Sequence, residues 1–160
     1  MNTIARTLTA LALSALGLGT AAAAGKVEVR FVDPEHFADA GRGPWEIART
    51  TQTVEKHFKE LAQQLPDGQT LSVEVMDIDL AGELRMVRAQ EVRVMRGRAD
   101  WPHMKLRYTL SADGHTLRTG EESLSDMNYL QNSLRPAPGT DLAYDLRMVD
   151  AWFDKHFVQH

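Results

Sequence analysis

The 160-residue chain contains no cysteine, which excludes thiol nucleophiles, disulfides and thiolate metal sites together. It has no basic excess, with 18 Lys and Arg against 22 Asp and Glu, and this argues against a general nucleic-acid binder. After residue 24 no apolar run approaches the roughly 20 residues that a spanning helix needs. There is no H-E-x-x-H, and no serine sits in G-x-S-x-G or S-x-x-K, so the zinc-hydrolase and serine-nucleophile motifs are missing. No internal repeat or low-complexity tract follows the first 24 residues.

What is present begins with a processing segment. Arg6 supplies a positive start, Leu8 to Leu18 is an apolar run of Leu and Ala, and Thr20 to Ala24 ends in small residues. That order is expected of a cleavable signal peptide over residues 1–24. With no cysteine at the cleavage point, a periplasmic protein is expected and not a lipoprotein. Without Arg6 the chain carries 17 basic residues against 22 acidic, a net charge of −5. The 136 residues from Gly25 onward are enough for one domain, 25–160, with its own core.

Lys26 to Asp33 alternates, with Val27, Val29 and Phe31 on one face, as a half-buried strand does. Asp33-Pro34 ends it, and Gly41, Gly43 and Pro44 mark a loop. From Trp45 to Leu65 the residues Ile47, Val54, Phe58, Leu61 and Leu65 recur at helical spacing. Leu71, Val73 and Val75 then alternate, but Met76, Ile78 and Leu80 change parity, which predicts a bulge near Met76. Leu84 to Arg96 reads as one extended stretch with Val92 and Val94 facing inward. Met104, Leu106, Tyr108 and Leu110 form the clearest strand, and Asp113-Gly114 predicts a hairpin to His115–Leu124. Pro136, Pro138 and Gly139 mark a further loop. A final helix is expected to open at Thr140 or Asp141, with Leu142, Leu146, Val149, Phe153 and Phe157 as its stripe and Lys155 and His156 near its negative end. Two helical stripes and about five strands predict an α+β two-layer sandwich, a mainly antiparallel sheet with both helices on one face. The other face, with Lys105, Arg107 and Arg93, is left to water or to a partner.

Several separated phrases carry a family resemblance: VEVRFVDPEHF (Val27 to Phe37), LPDGQTLSVEVMDIDLAGE (Leu65 to Glu83), ADWPHMKLRYTLS (Ala99 to Ser111), GEESLSDMNY (Gly120 to Tyr129) and WFDKHF (Trp152 to Phe157). The chain resembles the bacterial family catalogued as domain of unknown function 3016. That resemblance implies an exported protein with no assigned activity, and it carries over no catalytic residue and no cofactor.

The acidic residues are the best candidates for chemistry: Asp77, Asp79 and Glu83 in D-I-D-L-A-G-E, Asp100 in D-W-P, Glu121 and Glu122, and Asp126. Aspartates two apart on a strand point the same way, so Asp77 and Asp79 could share a divalent cation or an acid–base role. The plainer reading is that they cap turns and accept backbone N–H groups. His156 and His160 are the one pair at helical spacing, at a chain end where helices fray. Ser123 and Ser125 are expected to serve a turn. The arginines 85, 88, 93, 96 and 98 could bind phosphate or carboxylate groups, or simply solvate a face paired with acids. Trp101, held extended before Pro102, either closes one end of the core or contacts a ligand. Trp45 and Trp152, on helices, are expected to pack.

Two functions follow as expectations. The first is a non-catalytic periplasmic module that binds an envelope protein or a small ligand, with Asp77, Asp79, Asp100, Trp101, Glu121 and Asp126 as candidate contacts. The second is a metal-dependent hydrolase built on the acidic group around Asp77 and Asp79. An enzyme requires three or more carboxylates converging on one pocket. A binding module predicts carboxylates that are individually hydrogen-bonded, with an apolar or basic patch elsewhere.

Overall fold

The alternation around Val27, Val73 and Tyr108 builds a four-stranded sheet in a computed structural model that describes residues 24–97, 99–131 and 142–158. The expected signal peptide lies outside the described residues, apart from Ala24, as do Arg98, the Pro136–Gly139 loop, Thr140, Asp141 and His160. Strand β1 (Lys26–Phe31) leads into helix α1 (Pro44–Leu61), which is continued by a short 3-10 turn at Ala62–Gln64 before β2 (Gln69–Asp79). Strands β3 (Glu83–Val87) and β4 (Gln90–Val94) come next, then β5 (His103–Ala112), β6 (His115–Ser125) and helix α2 (Ala143–Phe157).

The main sheet has the order β1-β2-β5-β6. Its first pair is parallel, with α1 as the crossover that a parallel pair requires, and the other two pairs are antiparallel. Val54, Phe58 and Leu61 from α1 and Met148, Val149, Trp152, Phe153 and Phe157 from α2 pack on the same sheet face as Val27, Leu71, Val73, Val75, Leu106 and Tyr108. The α+β sandwich with both helices on one face is therefore the fold. His57 Nε2 and Asp150 Oδ1, 2.5 Å apart, tie the two helices together. No described helix is long and apolar enough to cross a membrane.

The change of parity after Val75 is a bulge: the register with β5 shifts between Val75 and Asp77. One extra residue returns Ile78 to the core opposite Met104 and puts Asp77 and Asp79 on the open face, opposite Lys105 and His103. Asp113 and Gly114 both adopt positive φ in the β5–β6 turn, as a two-residue hairpin demands.

The expected third strand is instead two. Leu84 to Arg96 folds back on itself as the β3–β4 hairpin, a separate two-stranded sheet. Its turn is Arg88-Ala89, both at positive φ, so none of the usual Asn, Asp or Gly residues marks it. The expected orientation fails for Val92. Arg93 reaches into the body of the protein, whereas Val92 is exposed and Val94 is half-buried.

On the open face of the main sheet, Arg30, Glu74, Arg107 and Glu121 are direct neighbours across all four strands. Arg30 pairs with Glu74, and Arg107 bridges Glu74 and Glu121 at 3.3 and 3.1 Å. This row of alternating charge is well solvated, so each exposed pair adds little stability. Opposite-charge neighbours nonetheless favour this strand register over its slips.

Gly120 holds one close approach. A Cβ there would meet the Tyr108 ring at 2.6 Å, and that ring is already wedged edge-on against Trp152 and Phe157. Gly120→Ala is expected to lower unfolding free energy by about 1–3 kcal/mol through overpacking. Urea denaturation measures it, and an unchanged midpoint contradicts the close packing described.

Candidate functional site

The bulge, the hairpin and the loop after β1 meet at one end of the sheet. Asp39, in that loop, forms an isolated bridge to Asp79 at the end of β2. Its N–H donates to the Ile78 carbonyl at 2.9 Å, and its own carbonyl accepts from Leu80 N–H at 3.0 Å. The Asp39 carboxylate then receives both arms of the Arg93 guanidinium, Nη1 to Oδ2 at 2.8 Å and Nη2 to Oδ1 at 3.1 Å. Such a fork is the geometry in which arginine binds a carboxylate best. Arg93 Nη1 also faces the carbonyls of Leu80, Ala81 and Gly82 at 3.4, 3.4 and 3.0 Å. One side chain thus fastens the hairpin to the post-β1 loop and to the β2–β3 connector.

Gly82 lets that connector turn tightly. Its φ is +84°, and a Cβ would lie 2.3 Å from Met95 Sδ and 2.9 Å from the Val94 carbonyl oxygen. From the other side, Asp145 in the first turn of α2 accepts Ala81 N–H at 2.9 Å. Asp145 is 4% exposed. Burial pushes its carboxyl up to about 6, against the lowering pull of Ala81 N–H, its own N–H and Arg93, while Asp39 raises it further.

Two clefts flank this junction. The first, about 440 Å³, is walled by Asp39, Arg42, Asp79, Glu83, Asp100 and Trp101. The second, about 620 Å³, lies between the starts of α1 and α2 and the hairpin, with Trp45, Arg49, Val92, Met95, Tyr144 and Asp145 among its walls.

Four sequence-derived candidates gather at the first cleft: Asp79, Glu83, Asp100 and Trp101. Asp100 is buried, and its Oδ2 accepts the Arg96 N–H at 2.6 Å and the Tyr129 hydroxyl at 3.0 Å. Burial and the adjoining Asp100 raise the Tyr129 phenol. Glu83 pairs with Arg85 at 2.5 Å, and Asp77 accepts Ala38 N–H at 2.8 Å. Trp101 is half-buried, its ring 5.6 Å from that of His103. Burial raises the Asp79 carboxyl, aided by Asp39 and Asp77 and opposed by His103 and Arg93.

The remaining candidates lie elsewhere. Glu121 belongs to the charge row on the open face, where Lys105 and then Arg107 hold its carboxyl below the usual range. Asp126 follows β6, where it accepts Asn128 N–H at 3.0 Å and pairs with Arg147 at 3.1 Å. Among the described residues no three His, Asp or Glu side chains are grouped to hold a metal ion.

Three residues that shape the candidate site escaped the sequence reading. Asp39 and Asp145 sit in no motif, and Arg93 is one of five arginines that the sequence reads as either binding phosphate or carboxylate groups or solvating a face. A fourth result is a correction: Trp45 was expected to pack, yet it is 71% exposed at the rim of the second cleft. Trp152 packs as expected.

Fold and site together define a small α+β domain whose β-hairpin is clamped over two clefts. The chain matches the family model described as Protein of unknown function (DUF3016) over residues 25–155, and it belongs to that family. No curated protein and no solved structure matches it.

The buried Asp145 makes stability pH-dependent with a definite sign. Its folded value of about 6 lies above the unfolded ~3.9, so the folded state holds the proton more tightly. Its contribution is therefore greatest at low pH and declines as pH rises from about 4 through 6, by on the order of 3 kcal/mol. Asp145→Asn keeps an oxygen for Ala81 N–H but carries no charge. Between pH 4 and 7 the variant is expected to gain that amount relative to wild type in urea unfolding, and parallel pH profiles contradict the assignment.

Proposed function

We propose that the protein is an exported, non-catalytic binding module of the bacterial envelope, working in the periplasm after its signal peptide is removed. The observation that carries this reading is the apolar surface gathered around the hairpin. Trp45, Val92 and Met95 line the second cleft, and Met86 and Val87, on opposite faces of the hairpin, are further exposed apolar side chains beside it. Exposed apolar groups that form a patch mark contact sites, and aromatic anchors beside a pocket are the usual centres of binding energy. The candidate carboxylates support the same reading, since Asp77, Glu83, Asp100, Glu121 and Asp126 each have a protein partner.

One observation favours the metal-dependent hydrolase: Asp79, Glu83 and Asp100 wall a single cleft. Against it, Asp100 is engaged by Tyr129 and Arg96, and Glu83 by Arg85.

A photo-reactive amino acid at Val92, compared with one at Thr119 on the open sheet face, tests the proposal in intact cells. Cross-linking to a defined envelope protein from position 92 alone, lost when Trp45→Ser is added, is the expected result. Equal yields from the two positions, or insensitivity to Trp45→Ser, contradict it. Divalent-metal-dependent hydrolysis abolished by Asp79→Asn puts the hydrolase in its place. Osmotic-shock release of the mature chain tests the compartment in the same cells.

A further inference from the structure

The two edges of the main sheet are not alike. At one, the charged side chains of β1 are paired within the chain, Lys26 with Glu28 and Arg30 with Glu74. At the other, β6 runs for 11 residues without a Lys or Pro, and among the described residues no strand pairs its outer side. A free edge of this kind is a template for a further strand. Arg118, Gly120 and Glu122 lie across from the core residues Leu110, Tyr108 and Leu106, so they share the sheet face that carries the helices. Arg118 is exposed and Glu122 half-buried. Arg118 donates from Nη1 to the His156 carbonyl at 2.9 Å, and the Glu122 carboxylate has His156 Nε2 at 3.4 Å. Among the described residues Arg118 thus meets no carboxylate, and Glu122 meets no Lys or Arg.

A strand added to this edge meets, on the helix side, a cation, a glycine and an anion in turn. Inward charges deter most strands. Their complement, read antiparallel, is an anion, a small residue and a cation, and β6 itself supplies it. Gly120 is the midpoint of β6 (His115–Ser125). Two copies of β6 paired antiparallel about Gly120 set Arg118 of each opposite Glu122 of the other, twice by symmetry, and opposite charges in that position stabilise a strand pair. Neighbouring registers lose this match: centring on Glu121 opposes Glu121 to itself, and centring on Thr119 sets Arg118 against Gly120. The geometry points to the β6 edge as the interface of a two-fold dimer, whose sheets join into one of eight strands, four from each copy. The bulge at Leu117 limits regular pairing to Arg118–Glu122, so the contact is small and the dimer dissociates on dilution.

Sedimentation equilibrium of the purified protein, from about 1 µM to about 1 mM, tests this over the range in which small interfaces dissociate. A monomer–dimer equilibrium is expected. Arg118→Glu and Glu122→Arg are each expected to weaken it about tenfold or more, because each sets like charges opposite one another twice. Mixing the two variants restores both charge pairs, so the mixture is expected to associate more tightly than either alone, and the double reversal to associate like wild type. A second readout leaves Arg118 and Glu122 in place: Thr119→Cys and Glu121→Cys, opposite one another in this register and in a chain with no cysteine of its own, are expected to form a mixed disulfide faster than either variant forms one with itself. The inference is overturned if the protein stays monomeric throughout, if the reversals associate like wild type, if the mixture is no tighter than its components, or if the cysteine variants cross-link at equal rates mixed and alone.

Discussion

The bidentate pairing of Arg93 with Asp39 is the constraint on which the end of the molecule that carries both clefts depends. A two-stranded hairpin is marginal in water on its own, and β3–β4 joins no other sheet. It is held down by the guanidinium fork on Asp39 and by contacts from the same nitrogen to three connector carbonyls. Partial burial strengthens such a pair, and it also makes the loss of either partner costly. Asp145 completes the arrangement by holding Ala81 from below, so α2, the connector and the hairpin share one polar junction.

That junction explains why the concave surface lies where it does. Asp39 walls the first cleft, while Arg93 and Asp145 wall the second. A buried carboxylate raised to about 6 is costly at neutral pH, and such groups cluster where a fold carries function. The main sheet offers a different surface. Across the middle of its open face runs a solvated charge row of Arg30, Glu74, Arg107 and Glu121 with both signs matched, which favours register.

Most of the fold was legible in the sequence because its signals are local. Alternation in β1, β2 and β5, the helical stripe from Ile47 to Leu65, the parity change at Met76 and the Asp113-Gly114 turn each have a direct backbone cause. The β3–β4 hairpin was not legible, since Arg88-Ala89 adopts left-handed conformations without a turn residue to announce them. The candidate site was legible in part. D-I-D and D-W-P do meet at one cleft, because the bulge turns Asp79 outward and β5 begins beside it at His103. Asp39, Arg93 and Asp145 stand 54 and 52 residues apart along the chain, and only the tertiary fold brings them together. Trp45 misled for a simple reason: an aromatic in the first turn of an amphipathic helix carries no periodic evidence of which way it faces.

The central claim is that Arg93 holds the hairpin to the body and thereby shapes both clefts. Native-state hydrogen exchange on wild type, Arg93→Gln, Asp39→Asn and the double variant measures this directly. The account predicts that each single variant exposes the β3–β4 amides by about 2 kcal/mol or more, that the double variant adds little beyond either, and that β2 and β5 amides keep their protection. Unchanged β3–β4 protection in Arg93→Gln, or fully additive effects of the two changes, would contradict it.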